Sequence, residues 1–290
     1  MAKFTKKAAR ELAEDYGYAY SFLRSDKSLW NLFKRAVQKN WDQATFTAKL
    51  RSTPWYKKHS EAARSYLFLK KNDPATFRAR TAATKAQIGD LAAQIGATMS
   101  SGTLGRVTAH ALMFGWNDSQ IRNTLASYVK IKDGLFKGQA ADDFESIKQK
   151  AYRNGVKISS NTAQNWVKQI AAGATSMNSV EASIRKMAKG LAPNFDEELE
   201  AGIDLYDAMQ PYMQRQAELL EIGPADVDLF DPHIRRAMTA KDKNGKPTAK
   251  TLWQFEQDIR RDPRWFKTKN AQDEIIGTGR SILQQFGFRS

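Results

Sequence analysis

Residues 46–58 read FTAKLRSTPWYKK and residues 255–267 read FEQDIRRDPRWFK. At an offset of 209, Phe46, Leu50, Arg51 and Pro54 meet Phe255, Ile259, Arg260 and Pro263. After one inserted residue, Arg264, the match continues from Trp55, Tyr56 and Lys57 to Trp265, Phe266 and Lys267. In each copy, apolar residues four apart mark one face of a short helix, a proline fixes the start of the turn, and two adjacent aromatics are placed to pack on both flanking helices. The repeat therefore predicts a helical corner near each end of the chain, with Ser60 and Asn270 offering N-caps for the helices that follow. Two roles are open for Pro54, Trp55, Tyr56, Pro263, Trp265 and Phe266. They are the core of a corner from which lysines reach outward, or a platform where rings stack bases and cations pair phosphates.

Outward from these corners the pattern stays helical. Apolar residues recur at three and four in Leu29, Phe33, Ala36 and Val37; in Ile121, Leu125, Tyr128 and Val129; in Val180, Ile184, Met187 and Leu191; in Leu205, Met209, Tyr212 and Met213; and in Ile275, Gly279, Ile282, Leu283 and Phe286. Thr53-Pro54, Asp73-Pro74, Asp231-Pro232 and Asp262-Pro263 pair a capping side chain with proline at N1, where the missing N–H costs no bond. Asn178 with Glu181 has capping-box spacing, and Gly190 and Gly287 follow apolar stripes as C-caps. Lys241 to Pro247 contains an Asn-Gly turn between polar flanks and reads as an exposed loop; glycine stands at the wrong place for a calcium loop. The prediction is an all-α protein of roughly a dozen short helices.

Composition narrows the function classes. The 290 residues are 41% hydrophobic and 11% aromatic, with a mean hydropathy of −0.60, which is the balance of a folded soluble chain. Without cysteine there is no disulfide, thiolate nucleophile or sulfur-ligated zinc, and His59, His110 and His233 lie too far apart in sequence for a ligand-spaced pair. No metal and no cofactor is expected. The longest uncharged run, Leu91 to Gly105, is too short and too polar to span a bilayer, and the charged residues from Lys3 to Asp15 leave no room for the apolar middle of a secretory signal.

The net charge of +15 is unevenly spread. Residues 1–90 carry 19 basic and 8 acidic groups, whereas residues 196–231 carry 1 and 11. That acidic segment is read either as a solvated helix face or as a surface that docks on a basic part of this chain or of a neighbour. Breaks at Gly134 to Ala141 and at Ile222-Gly223-Pro224 suggest a basic N-terminal region at 1–133, a central region at 134–222 with an acidic end, and a basic C-terminal region at 223–290. Both breaks are equally readable as turns within one domain.

The search for catalytic patterns is largely negative. The sequence contains no G-x-S-x-G elbow, no phosphate loop ending in Gly-Lys-Ser or Gly-Lys-Thr, and no H-E-x-x-H helix. Gly277-Thr278-Gly279 sits inside a helical stripe and reads as small-residue helix packing; Ser100 to Gly105 reads as a loop that caps the next helix. Glu197, Glu198, Glu200, Glu218 and Glu221 are the carboxylates a glycoside-cleaving site would draw on, but their spacing singles out no acid. The chain is not expected to be an enzyme.

Several phrases taken together resemble a group of tailed-bacteriophage virion proteins, mainly from phages of actinobacteria, described as minor tail or internal virion structural proteins. They are Trp41-Asp42 through Phe46, Leu50 and Thr53-Pro54-Trp55-Tyr56; Ala111-Leu112-Met113-Phe114-Gly115-Trp116; Val227-Asp228-Leu229-Phe230-Asp231-Pro232 with Ile234 and Arg235; and Asp262-Pro263-Arg264-Trp265 through Thr268-Lys269-Asn270-Ala271, closing with Leu283 to Phe288. The resemblance covers about residues 20–290. It implies a shared helical fold and a place in a phage particle, in its tail or interior, reached by assembly with other virion proteins and with copies of the same chain. On this reading Lys57, Lys58, Arg260, Arg261, Arg264, Lys267 and Lys269, which flank the two corners, are the candidate contacts to acidic partners or packaged DNA. The alternatives are a DNA-associated ejection protein inside capsid or tail and, third, a cell-wall-degrading enzyme.

Overall fold

The computed structural model describes residues 5–130 and 136–285, and it is all-α. Expectations for Gly134, Phe286, Gly287 and the phrase ending at Phe288 lie outside those residues. The chain forms two compact units, residues 1–141 with 171–174, and residues 142–170 with 175–290. One boundary thus lies at 141/142, while the turn at 222–224 is internal to the second unit.

Among the described residues the first nine helices are α1 (Lys6–Asp15), α2 (Tyr20–Leu23), α3 (Lys27–Lys39), α4 (Gln43–Leu50), α5 (Pro54–Lys58), α6 (Glu61–Asn72), α7 (Pro74–Gln94), α8 (Ser101–Phe114) and α9 (Asp118–Ala126). The next nine are α10 (Gln139–Arg153), α11 (Ser160–Ala172), α12 (Met177–Leu191), α13 (Asp196–Glu200), α14 (Leu205–Ala208), α15 (Gln210–Leu220), α16 (Pro232–Met238), α17 (Leu252–Arg260) and α18 (Lys269–Gln285). The number exceeds the expected dozen because α2, α5, α13 and α14 are single turns, too short to show a periodicity.

In the first unit α1 to α5 close on an aromatic core. Phe22, Phe33 and Phe46 are buried, Tyr16 stacks on Phe46 with ring centres 4.7 Å apart, and its hydroxyl donates to the Trp41 carbonyl. Helix α6 then packs on α7 and α8. Glycine is required at Gly96 (φ +77°), where a Cβ would lie 1.8 Å from the Lys137 carbonyl oxygen; beside it Ala97 and Val129 form an isolated antiparallel bridge that the sequence did not announce.

Three of the four proline-initiated caps start helices as expected: Thr53 accepts from Tyr56 N, Asp73 from Thr76 N and Asp231 from His233 N. The fourth does not. Asp262 accepts from Arg264 N, and the chain continues through a turn into a 3-10 segment, Trp265–Lys267; this carboxylate is also held by the Arg264 side chain and, from elsewhere in the unit, by His233. Three further local readings are corrected. Helix α12 is capped by Ser176, whose Oγ accepts from Ser179 N, so Asn178 lies inside the first turn; Gly190 also lies inside α12, which ends at Leu191. Its core face is Val180, Ile184 and Ala188, while Met187 and Leu191 are exposed, because the neighbouring elements select which of two adjacent stripes is covered. Helix α18 is capped by Thr268 in place of Asn270.

The Lys241 to Pro247 segment is a tight exposed turn with one isolated bridge, Lys241 to Pro247, pinned by Asp242 accepting from Asn244 N and Lys246 N. Among the described residues no helix is long and apolar enough to cross a membrane.

Candidate functional site

The two corners share a framework and differ in surroundings. In the N-terminal corner Phe46 and Leu50 of α4 are buried, and Thr53 Oγ1 donates to the Leu50 carbonyl while accepting from Tyr56 N, which closes the turn. Trp55 is buried edge-on to Phe22 at 5.3 Å, and Tyr56 is half-buried beneath Arg64, whose guanidinium carbon lies 3.9 Å from the ring centre. Arg64 also donates to the carbonyls of Tyr56 and His59. Tyr18, Phe22, Trp55, Tyr56 and Phe68 wall a groove of about 450 Å³ here.

In the C-terminal corner Phe255 and Ile259 are fully buried, and Trp265 is buried with the Arg260 guanidinium 5.4 Å from its ring centre. Thr268 plays the part of Thr53, its Oγ1 donating to the Trp265 carbonyl and accepting from Ala271 N. The counterpart of Tyr56, Phe266, is 57% exposed. Both tryptophans are thus core, and the second aromatic of each pair is not.

A charged cluster underlies this second corner. Buried His233 Nε2 donates to Asp262 Oδ2 at 2.7 Å, and Arg236 donates to His233 Nδ1 at 2.9 Å. A guanidinium only donates, so the ring proton sits on Nε2. Arg264 grips Asp262 with Nε at 3.1 Å and a terminal nitrogen at 2.7 Å, and reaches Asp231 at 3.8 Å. These guanidinium bonds hold the Asp262 carboxyl well below the usual carboxylate range against burial, which pushes the other way; the Arg264 amide and His233 add to the lowering. Beside the cluster, Arg236, Lys250, Asp258 and Arg261 line a cavity of about 340 Å³. Sequence reading missed this site. Asp231-Pro232-His233 and Asp262-Pro263 are both visible as motifs, but only the fold brings them together.

The candidate contact residues divide in the same way. Lys57 and Lys58 are exposed, and among the described residues no carboxylate pairs with either. Arg260 pairs with Glu274, Arg264 is engaged by Asp262, and Arg261, Lys267 and Lys269 are exposed. The acidic segment is largely spent inside the second unit. Asp204 and Asp207 flank Arg153 at 2.6 and 2.5 Å, Glu200 pairs with Lys189, and the Glu221 carboxylate accepts from the amides of Lys269 and Asn270 at the start of α18. Of the glutamates considered for glycoside chemistry, Glu197 and Glu198 lie on α13 in exposed and half-buried positions.

Charge therefore separates by unit. The first carries 24 basic and 10 acidic residues, the second 22 and 21. Among the described residues the first unit has a single ion pair, Lys7 with Glu11, and the others belong to the second. Among the described residues no group of His, Asp or Glu is placed to hold a metal ion.

Comparison with protein-family models, curated proteins and solved structures finds no match.

Proposed function

We propose that this chain is a structural component of a bacteriophage particle, a minor tail or internal virion protein that works by assembling with other virion proteins. The observation that carries the assembly part is the state of α18: from Gln272 to Ile282 every residue is exposed, including Ile275, Ile276 and Ile282. An apolar stripe left exposed along a helix marks an interaction surface. The phage particle as its setting rests on the sequence resemblance given above. Antibody-gold electron microscopy of purified virions of the encoding phage, with copy number by mass spectrometry, tests the reading. Label on the tail or its tip at a small fixed copy number supports it, and absence from the particle ends it.

A second reading, a protein that travels with the genome inside capsid or tail, is favoured by the excess of basic over acidic residues in the first unit, 24 against 10. It expects DNA affinity that falls steeply with salt, by a log–log slope of about 0.9 per phosphate neutralised, and the double variant Lys57→Glu, Lys58→Glu should lower that slope. A slope near zero in a filter-binding titration removes this reading. Label detected only after particles are opened favours it over a place on the tail surface.

A further inference from the structure

Helix α17 buries one face and offers the other. Phe255 and Ile259 are fully buried, whereas Trp253 is 68% exposed, more than any other large apolar side chain among the described residues. A single exposed apolar residue is ordinary on a protein surface, but this one stands in a row of polar and charged groups. Helical spacing of three and four sets Lys250, Trp253, Gln254, Gln257, Asp258 and Arg261 along one side of the element. All six line a groove of about 750 Å³, to which the neighbouring turn adds Lys241 and Lys243. The depression of about 340 Å³ beside the His233 and Asp262 cluster adjoins it, sharing Lys250, Asp258 and Arg261 and adding Arg236.

Charge on this face is one-sided. Asp258 is paired with Lys250, Asp242 accepts from the amides of Asn244 and Lys246, and Asp262 is held by Arg264 and His233. Arg236, Lys241, Lys243 and Arg261 have no carboxylate partner among the described residues. The carboxylates of the face are thus spent within the unit, and its surplus is positive. We infer that this face binds single-stranded nucleic acid, with the Trp253 indole stacked on a base and Arg236, Lys241, Lys243 and Arg261 taking the phosphates on either side. An unpaired strand answers both features, because every base has a flat π-face and every linkage carries a charge. A duplex covers its base faces by stacking and offers the indole nothing, and an acidic peptide answers the cations alone. The inference goes beyond the structural role proposed above and is independent of the chain's place in a particle.

Fluorescence anisotropy of a short labelled oligothymidylate, titrated with the full chain over a range of salt concentrations, tests this. The oligonucleotide should bind more tightly than a duplex of the same length. Trp253→Ala should weaken binding about tenfold, the loss of one base stack, at an unchanged salt slope. Trp253→Phe keeps a ring and should recover most of that loss. Lys243→Gln combined with Arg261→Gln should instead lower the log–log salt slope by about 1.4, which is about 0.7 for each phosphate released. All three positions are exposed, so circular dichroism should show the helical fold retained. The Trp253→Ala effect should persist in the Lys57→Glu, Lys58→Glu background, which separates this surface from the cations of the first unit. No binding of the single strand, or affinity and slope unchanged in these variants, overturns the inference. So does a duplex bound as tightly as the single strand, or polyglutamate bound as tightly as the oligonucleotide, the latter making the face a dock for an acidic protein. A chain that binds single strands through Trp253 and is absent from virions removes the structural role and leaves this surface standing.

Discussion

Replacing Asp262 by alanine is expected to lower the unfolding free energy by about 2–4 kcal/mol, read from guanidinium titration followed by tryptophan fluorescence. The side chain is 9% exposed and is the shared acceptor for His233, the Arg264 side chain and the Arg264 amide, so its removal leaves a buried imidazole N–H without a partner. The lower half of the range allows for Arg264, whose head is half-exposed and can turn to water. The effect has a pH signature. Because the folded carboxyl is held below its unfolded value near 3.9, its stabilisation is complete above about pH 5 and is lost as the pH falls below the unfolded value. The difference in stability between the native chain and Asp262→Asn should therefore shrink between about pH 5 and pH 2. A difference that stays constant over that interval would show that the carboxylate's charge is not what stabilises the corner.

Phe46→Ala and Phe255→Ala should each cost about 3–5 kcal/mol, the usual range for emptying a fully buried phenylalanine site. Both rings are 0% exposed, and each stands at the first matched position of its corner. Phe46 is stacked on Tyr16 and edge-on to Phe33, whereas Phe255 has Tyr212 edge-on at 5.4 Å. Phe266→Ala, at the last aromatic position of the second corner, should change stability by less than about 0.5 kcal/mol because the ring is already mostly in water. Denaturant midpoints of the three variants check this. Equal costs at Phe255 and Phe266 would contradict the burial pattern that separates core aromatic from exposed aromatic in the repeat.

The helical class was legible because its signals are local. Apolar spacing, a capping oxygen and a proline at N1 act within one or two turns; among the described residues nothing distant competes for the caps at Thr53 and Asp73, and Asp231 keeps its cap with one oxygen while Arg264 approaches the other at 3.8 Å. Asp262 carries the same motif, but it is claimed by His233 from 29 residues away, and the expected helix start becomes a turn. The same limit explains α12. Its period was plain, yet whether Met187 or Ala188 faced inward depended on a neighbour that no window along the chain contains. Of the two roles open for the corner aromatics, the tryptophans of both corners take the core one; that Arg64 covers Tyr56 and that Phe266 stays bare is not readable in the sequence.

By itself, then, the sequence determined that the chain is helical, where the helices capped by Thr53, Ser60, Asp73 and Asp231 begin, that two corners repeat, and how much charge it carries. Only the tertiary structure decided which cations remain free. The acidic run at 196–231 is dispersed among Arg153, Lys189, Arg215 and the start of α18, so the second unit is nearly neutral and the first keeps the excess. Likewise the stripe on α18 is written in the sequence like any core stripe, and folding leaves Ile275, Ile276 and Ile282 exposed. The physical reason is common to both. Periodicity and capping are properties of neighbours in the chain, whereas burial and ion pairing are properties of neighbours in space.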